Sequence, residues 1–204
     1  MRSVPWWGLV SSSAAPVLLI GGWTVAAALQ PSGFDPYVES ISALASRDAT
    51  NSWLMSLAFL GVGLCHLATA MALRPVAPAA RVLLGVGGVA TVAVAAFPLP
   101  GAEAHSVPHA IAATVAFVAL AAWPALAASP DVATQQSAPV LRRHICVGAA
   151  TVLLLLVGWF FAVVVSGGPS LGLSERIAAG AQSVWPFVVV VALRPTRQAP
   201  AARR

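Results

Sequence analysis

Lysine is absent from this chain, so its 11 basic residues are all arginine, and only six acidic residues accompany them. Charge of either sign is scarce. Charged residues make up 8% of the 204 positions, against about 25% in an ordinary soluble domain, which excludes a water-solvated globule. None of these charges falls inside six apolar segments, at residues 7–29, 53–73, 82–99, 109–128, 145–165 and 177–193. With no acid or arginine inside a segment, an ion relay across a membrane lacks its usual parts. Cysteine is nearly absent too: Cys65 and Cys146 lie within or at the end of apolar segments, and no C-x-x-C occurs. Both are expected to be free thiols packed as small hydrophobes. No glycine-rich loop follows a strand, so nucleotide folds have no foothold.

What is there is a membrane pattern. Each segment approaches the roughly 20 residues that cross a ~30 Å hydrocarbon core, and a backbone in lipid must satisfy its own hydrogen bonds. The expected fold is all-α: a polytopic bundle of six helices forming a single domain over residues 1–204. With the N-terminus inside, nine arginines (2, 74, 81, 142, 143, 194, 197, 203, 204) face the cytoplasm and two, Arg47 and Arg176, face out. This asymmetry places both termini in the cytoplasm. The basic balance thus serves topology and contact with anionic lipid, and nucleic acid is not an expected partner. Arginine without lysine, with heavy alanine use, suggests a GC-rich bacterial genome and hence a bacterial plasma membrane. The first 28 residues resemble a signal peptide, but the apolar run is long enough to span and is expected to stay as the first helix.

The first outer loop, residues 30–52, is the longest. Asp35 can cap a helix with Pro36 in its first position, and Tyr37, Ile41 and Leu44 share a face. The spacing predicts a short interfacial helix over residues 36–46, with Asn51 or Ser52 capping the second span and Trp53 in the outer aromatic belt. Gly61 and Gly63, with Gly85, Gly87 and Gly88, allow close helix contact between spans two and three. Span five, with its leucine run at 153–156, reads as lipid-facing. Residues 129–139 read as a linker, and 196–204 as a disordered basic tail.

The acidic residues Asp35, Glu39, Asp48, Glu103 and Glu175 fall on the outer side, with only Asp131 inside. The same layer carries Ser40, Ser42, Ser46, His105, His109 and Arg176. His66 stands about 20 Å below it at 1.5 Å per residue, an intramembrane polar residue that is either hydrogen-bonded in the core or functional. His105 and His109 have an H-x-x-x-H spacing, but Pro108 disfavours helix before it and no third ligand is near, so no metal and no cofactor are expected. A serine–histidine–acid hydrolase could be assembled from these residue types, although no nucleophile motif marks it. Arg176 is either part of a solvated cap with Glu175 or paired with Glu39 or Asp48. His109, opening span four, is read as the centre of an outer cluster with Ser42 and Glu39 as neighbours, or else as a histidine exposed to head groups.

Five features together form a pattern: the string Tyr37-Val-Glu-Ser-Ile-Ser-Ala-Leu-Ala45, Asn51 ahead of span two, Phe97-Pro98, His109, and Gly172-Leu-Ser-Glu-Arg176. This arrangement resembles the six-helix prokaryotic membrane proteins of the domain of unknown function 998 family. The resemblance implies the six-helix fold but no reaction. Ala43 and Leu99 stand where the family pattern tends to carry acids, with Glu103 a shifted substitute. The expected function is a non-enzymatic module that binds a lipid, small ligand or membrane protein partner at its outer face. The candidate residues are Glu39, Ser40, Ser42, His105, His109, Glu175 and Arg176. A hydrolase of lipid-like substrates is the alternative, and a channel or permease the third reading.

Overall fold

The computed structural model describes residues 3–31, 33–102, 104–129, 135–136 and 138–194. Readings that fall on Arg2, Glu103, Asp131, the tail 196–204 and most of the linker 129–139 lie outside these residues. Six long helices carry the fold: α1 (Trp6–Ala28), α2 (Trp53–Ala72), α3 (Pro78–Ala96), α4 (Val107–Ala122), α5 (Arg143–Ser166) and α6 (Leu171–Ala192). Each of the first five packs on the next, and α6 closes the ring against α1 while also touching α2 and α4. The last helix therefore leans toward the centre, and α5 sits at the periphery.

Glycine sets the closest approaches. A Cβ on Gly63 would lie 2.6 Å from the Gly88 carbonyl oxygen, and one on Gly88 would lie 2.8 Å from that of Gly63. The α2 and α3 backbones thus touch, as small residues permit in lipid. On α5 the leucine run divides: Leu153 is buried with Val157 and Phe160, while Leu154 and Leu155 are exposed.

Among the described residues five helices, α1 to α5, are long and apolar enough to cross a membrane. The sixth is as long but carries Glu175, Arg176, Gln182 and Ser183. It begins at Leu171, earlier than the apolar pattern suggests, because its two charged residues find partners in another loop. Similarly, α3 begins at Pro78 and takes in Arg81, whose Nε donates to the Ala70 carbonyl (2.8 Å) at the end of α2. The proline at residue 124 ends α4 in a 3-10 turn, Trp123–Leu126, rather than kinking it.

The interfacial helix expected over residues 36–46 is corrected. Its start forms as read: Asp35 Oδ1 accepts from the Tyr37 amide (2.8 Å), and the Glu39 carboxylate accepts from the Asp35 amide (2.9 Å). One turn later the chain leaves the helical path, and only a 3-10 turn at Ala43–Ala45 follows. The backbone groups a helix would pair internally are taken by α6. Gly172 and Leu173 donate to the Val38 and Tyr37 carbonyls (3.2 and 3.0 Å), and the Ile41 amide donates to Glu175. Tyr37 does not share the buried side: it is half exposed, while Ile41 and Leu44 plug the bundle. Neither Asn51 nor Ser52 caps α2 with its side chain; Asn51 instead adopts a left-handed φ of 54°.

Candidate functional site

The loop joining α1 to α2 is held from three sides, and this fixes Ser42. Below, Ile41 and Leu44 pack with Leu19, Met55 and Phe59 in the core at that end of the bundle. On one flank, the Arg47 amide donates to the Leu99 carbonyl (3.0 Å). Asp48 reaches the Ala102 amide (3.4 Å) and the Ser46 hydroxyl (2.6 Å), which holds its exposed carboxyl below the usual range. On the other flank stands the start of α6. Gly172 is required there, since a Cβ would lie 2.5 Å from the Pro36 carbonyl oxygen and closer still to that of Glu39.

Arg176 settles its own partners in an unforeseen way. Its Nη1 donates to the carbonyls of Pro36 (2.8 Å), Glu39 (2.7 Å) and Gly172 (3.0 Å). It clamps loop backbone and makes no carboxylate pair with Glu39 or Asp48 among the described contacts.

Glu175 is 4% exposed. Its Oε2 accepts from the Ile41 amide (2.5 Å), and Ser42 Oγ lies 3.4 Å from Oε1. Burial pushes its carboxyl up to about 7, against the opposing pull of the Ile41 amide, the Arg176 charge and Ser42. Ser42 Oγ is also 3.1 Å from His109 Nε2, while His109 Nδ1 faces the Phe97 carbonyl at 2.9 Å. A carbonyl only accepts, so Nδ1 carries hydrogen and a neutral His109 presents a bare Nε2. The single Ser42 proton goes either to Nε2 or to an ionised Glu175. Both contacts are hydrogen bonds at once only if Glu175 or His109 carries an added proton. Three side chains thus share protons along one line, from α6 through the loop to α4.

The structure brings together Ser42, His109, Glu175 and, through backbone, Arg176. Ser40 sits beside them but accepts from the Ala43 amide (3.0 Å), capping the 3-10 turn. Glu39 does not neighbour His109, because its carboxylate turns back to Asp35. His105 is exposed, outside the cluster, and precedes α4, which starts at Val107 with Ser106 as its cap. No group of three metal-ligating side chains occurs among the described residues.

Beneath the cluster lies a cavity of about 60 Å³, lined by residues of α1, α2, α3, α4, α6 and the loop. Its polar lining is Ser42, His66, Thr91, Glu175, Gln182 and Ser183; the rest is apolar. Gln182, Ser183 and Thr91 escape a sequence reading that looks only for charge within spans. The signal was spacing: Gln182 stands seven residues after Glu175, two turns along one face.

A family model described as "Protein of unknown function (DUF998)" matches residues 13–192. No curated protein and no solved structure matches the chain.

Proposed function

The chain belongs to the DUF998 family of proteins of unknown function, and we propose that it is a membrane-embedded binding protein whose ligand reaches the cavity from the outer layer. The observation that carries this reading is the cavity itself. A buried acid and a serine, Glu175 and Ser42, stand at one end of a chamber whose lining is otherwise apolar but for His66, Thr91, Gln182 and Ser183, the usual build of a small-molecule site. The polar groups are proposed to hold the head of a lipid or small ligand, with Ser42 and Glu175 as its first contacts. Ser40, Glu39 and Arg176 hold the loop backbone beside it, and His105 stands outside the cluster.

In this reading residues 177–192 of α6 also span, giving six crossings. Gln182 and Ser183 in that stretch line the cavity, which explains how a helix of lower apolarity can be accommodated. The arginine distribution supports cytoplasmic termini in a bacterial plasma membrane, with the loop cluster outside.

Native mass spectrometry of the protein in lipid nanodiscs tests the binding reading. A single adduct is expected on the wild type and its loss in Ala116→Phe, which fills the cavity. A wild-type spectrum free of adduct would overturn the reading.

A second reading, a serine hydrolase, is favoured by one contact, Ser42 Oγ to His109 Nε2 at 3.1 Å. It is disfavoured by another: the amide of Ile41, beside the would-be nucleophile, is engaged by Glu175. An oxyanion formed at Ser42 would find that donor already taken. Labelling of Ser42 by a fluorophosphonate, absent in His109→Gln, would reverse the preference.

A further inference from the structure

His66 lies on α2, 1% exposed, and lines the cavity at its deep side. Its Nδ1 has no hydrogen-bond partner among the described residues. Such an atom costs about 1–3 kcal/mol if nothing meets it. Something that enters the cavity is the natural partner.

The surrounding groups restrict what that can be. The Thr91 hydroxyl donates to the Gly87 carbonyl (2.8 Å), and the Ser183 hydroxyl to that of Gly180 (2.8 Å). Both protons are committed, so toward the cavity these oxygens can only accept. Gln182 donates one amide N–H to the Phe117 carbonyl (2.8 Å), leaving its second N–H and its amide oxygen. A neutral imidazole brings one N–H and one lone pair. The deep end therefore holds two acceptor-only hydroxyl oxygens and two amphoteric groups, and no charge.

A carboxylate finds at most two neutral N–H donors and no cation here. An ammonium would need a counter-charge, and Glu175 sits about 10 Å higher, seven residues along α6 at 1.5 Å each. An isolated buried charge is costly. A hydroxyl fits: it can donate to Gln182 or Ser183 and accept from His66.

Deepening the binding reading above, on which it rests, we infer that the deep end of the cavity, around His66 and Gln182, is a subsite for the hydroxyl group of a neutral aliphatic alcohol or alcohol-headed lipid. The volume of about 60 Å³, at about 10–15 Å³ per water-sized position, suits a group of about five heavy atoms.

The test uses 15N-histidine-labelled protein in nanodiscs, with the His66 imidazole signal assigned by its loss in His66→Gln. Four probes are titrated: 1-butanol, its isomer diethyl ether, butyrate and n-butylammonium. Butanol is expected to move the His66 resonance saturably, and the other three are not. In Gln182→Leu the midpoint should rise about tenfold, the worth of one neutral hydrogen bond. An equal response to the ether, or a response to either ion, would overturn the alcohol assignment while leaving the cavity a binding site. Silence toward all four would overturn the His66 subsite, and the adduct measurement on Ala116→Phe would then decide the binding reading separately.

Discussion

Replacing Glu175 with glutamine should remove a pH dependence that the wild-type fold carries. The carboxyl is 4% exposed and is pushed up to about 7 from an ordinary 4.5. The folded protein therefore holds this proton more tightly than the unfolded chain. Below about pH 4.5 both states are protonated and the full contribution is present. As pH rises, the unfolded chain ionises first and stability falls, levelling off once the folded group has ionised above about 7. A displacement of about 2.5 units at 1.36 kcal/mol each gives a loss of roughly 3 kcal/mol across the window. For a chain of this length that corresponds to about 6–12 °C in melting temperature. The groups facing Glu175 are the adjacent Arg176, the Ile41 amide, Ser42 and, through Ser42, His109. Other residues titrate as well, so the informative quantity is the difference between wild type and Glu175→Gln. Tryptophan-fluorescence melting in detergent from pH 4.5 to 8.5 supplies it. The wild type should lose stability relative to the variant as pH rises through 4.5–7. Parallel curves, or a wild type that gains on the variant over that range, would refute the reasoning.

Three further outcomes follow from the same layer. Arg176→Ala removes a guanidinium that donates to three carbonyls and should cost about 2–3 kcal/mol, read as a lower melting temperature, with Arg176→Lys recovering part of it. Gly172→Ala drives a methyl into the Glu39 and Pro36 carbonyls and should destabilise by about 1–3 kcal/mol; unchanged melting would show that the loop yields freely. In a background lacking Cys65 and Cys146, a cysteine at Ala102, which is exposed beside the loop cluster, should react with an impermeant thiol reagent in intact cells. One at Ala79, in the first turn of α3, should not, and the reverse pattern would invert the orientation.

The helices were legible because each apolar run exceeds what a loop can carry, and a lipid-solvated backbone has one answer to its hydrogen-bonding need. Their ends were less so. Arg81 and Glu175 mark apparent boundaries in the sequence, yet each sits inside a helix because a carbonyl or amide from elsewhere meets its charge. The region 36–46 fails for a related reason. Its cap, its proline and its spacing all favour a helix, and the local signal holds for one turn. It then loses to partners about 134 residues away, which no local pattern reveals. In the site, Ser42, His109, Glu175 and Arg176 were readable as residue types in one layer, but not who meets whom. Glu39 was a reasonable neighbour for His109 until the hydrogen bond to the Asp35 amide claimed it. Gln182 was hidden because an uncharged amide in a span draws no notice until a cavity lies beside it.

The docking of the first loop on the start of α6 sets an order for assembly. Helices α1 to α5 each find a neighbour in the helix just made, so the bundle can grow as it leaves the ribosome. The first loop cannot finish with them. Until α6 arrives, the Ile41 amide and the carbonyls of Pro36, Tyr37, Val38 and Glu39 lack the partners they have in the complete fold. The last helix, in turn, is the least apolar of the six long helices described. Each is unfinished without the other, so docking of α6 and setting of the first loop form a single late event. An arrested chain ending before Leu171 should therefore expose the segment 36–46 to protease, although its own five helices are already in place.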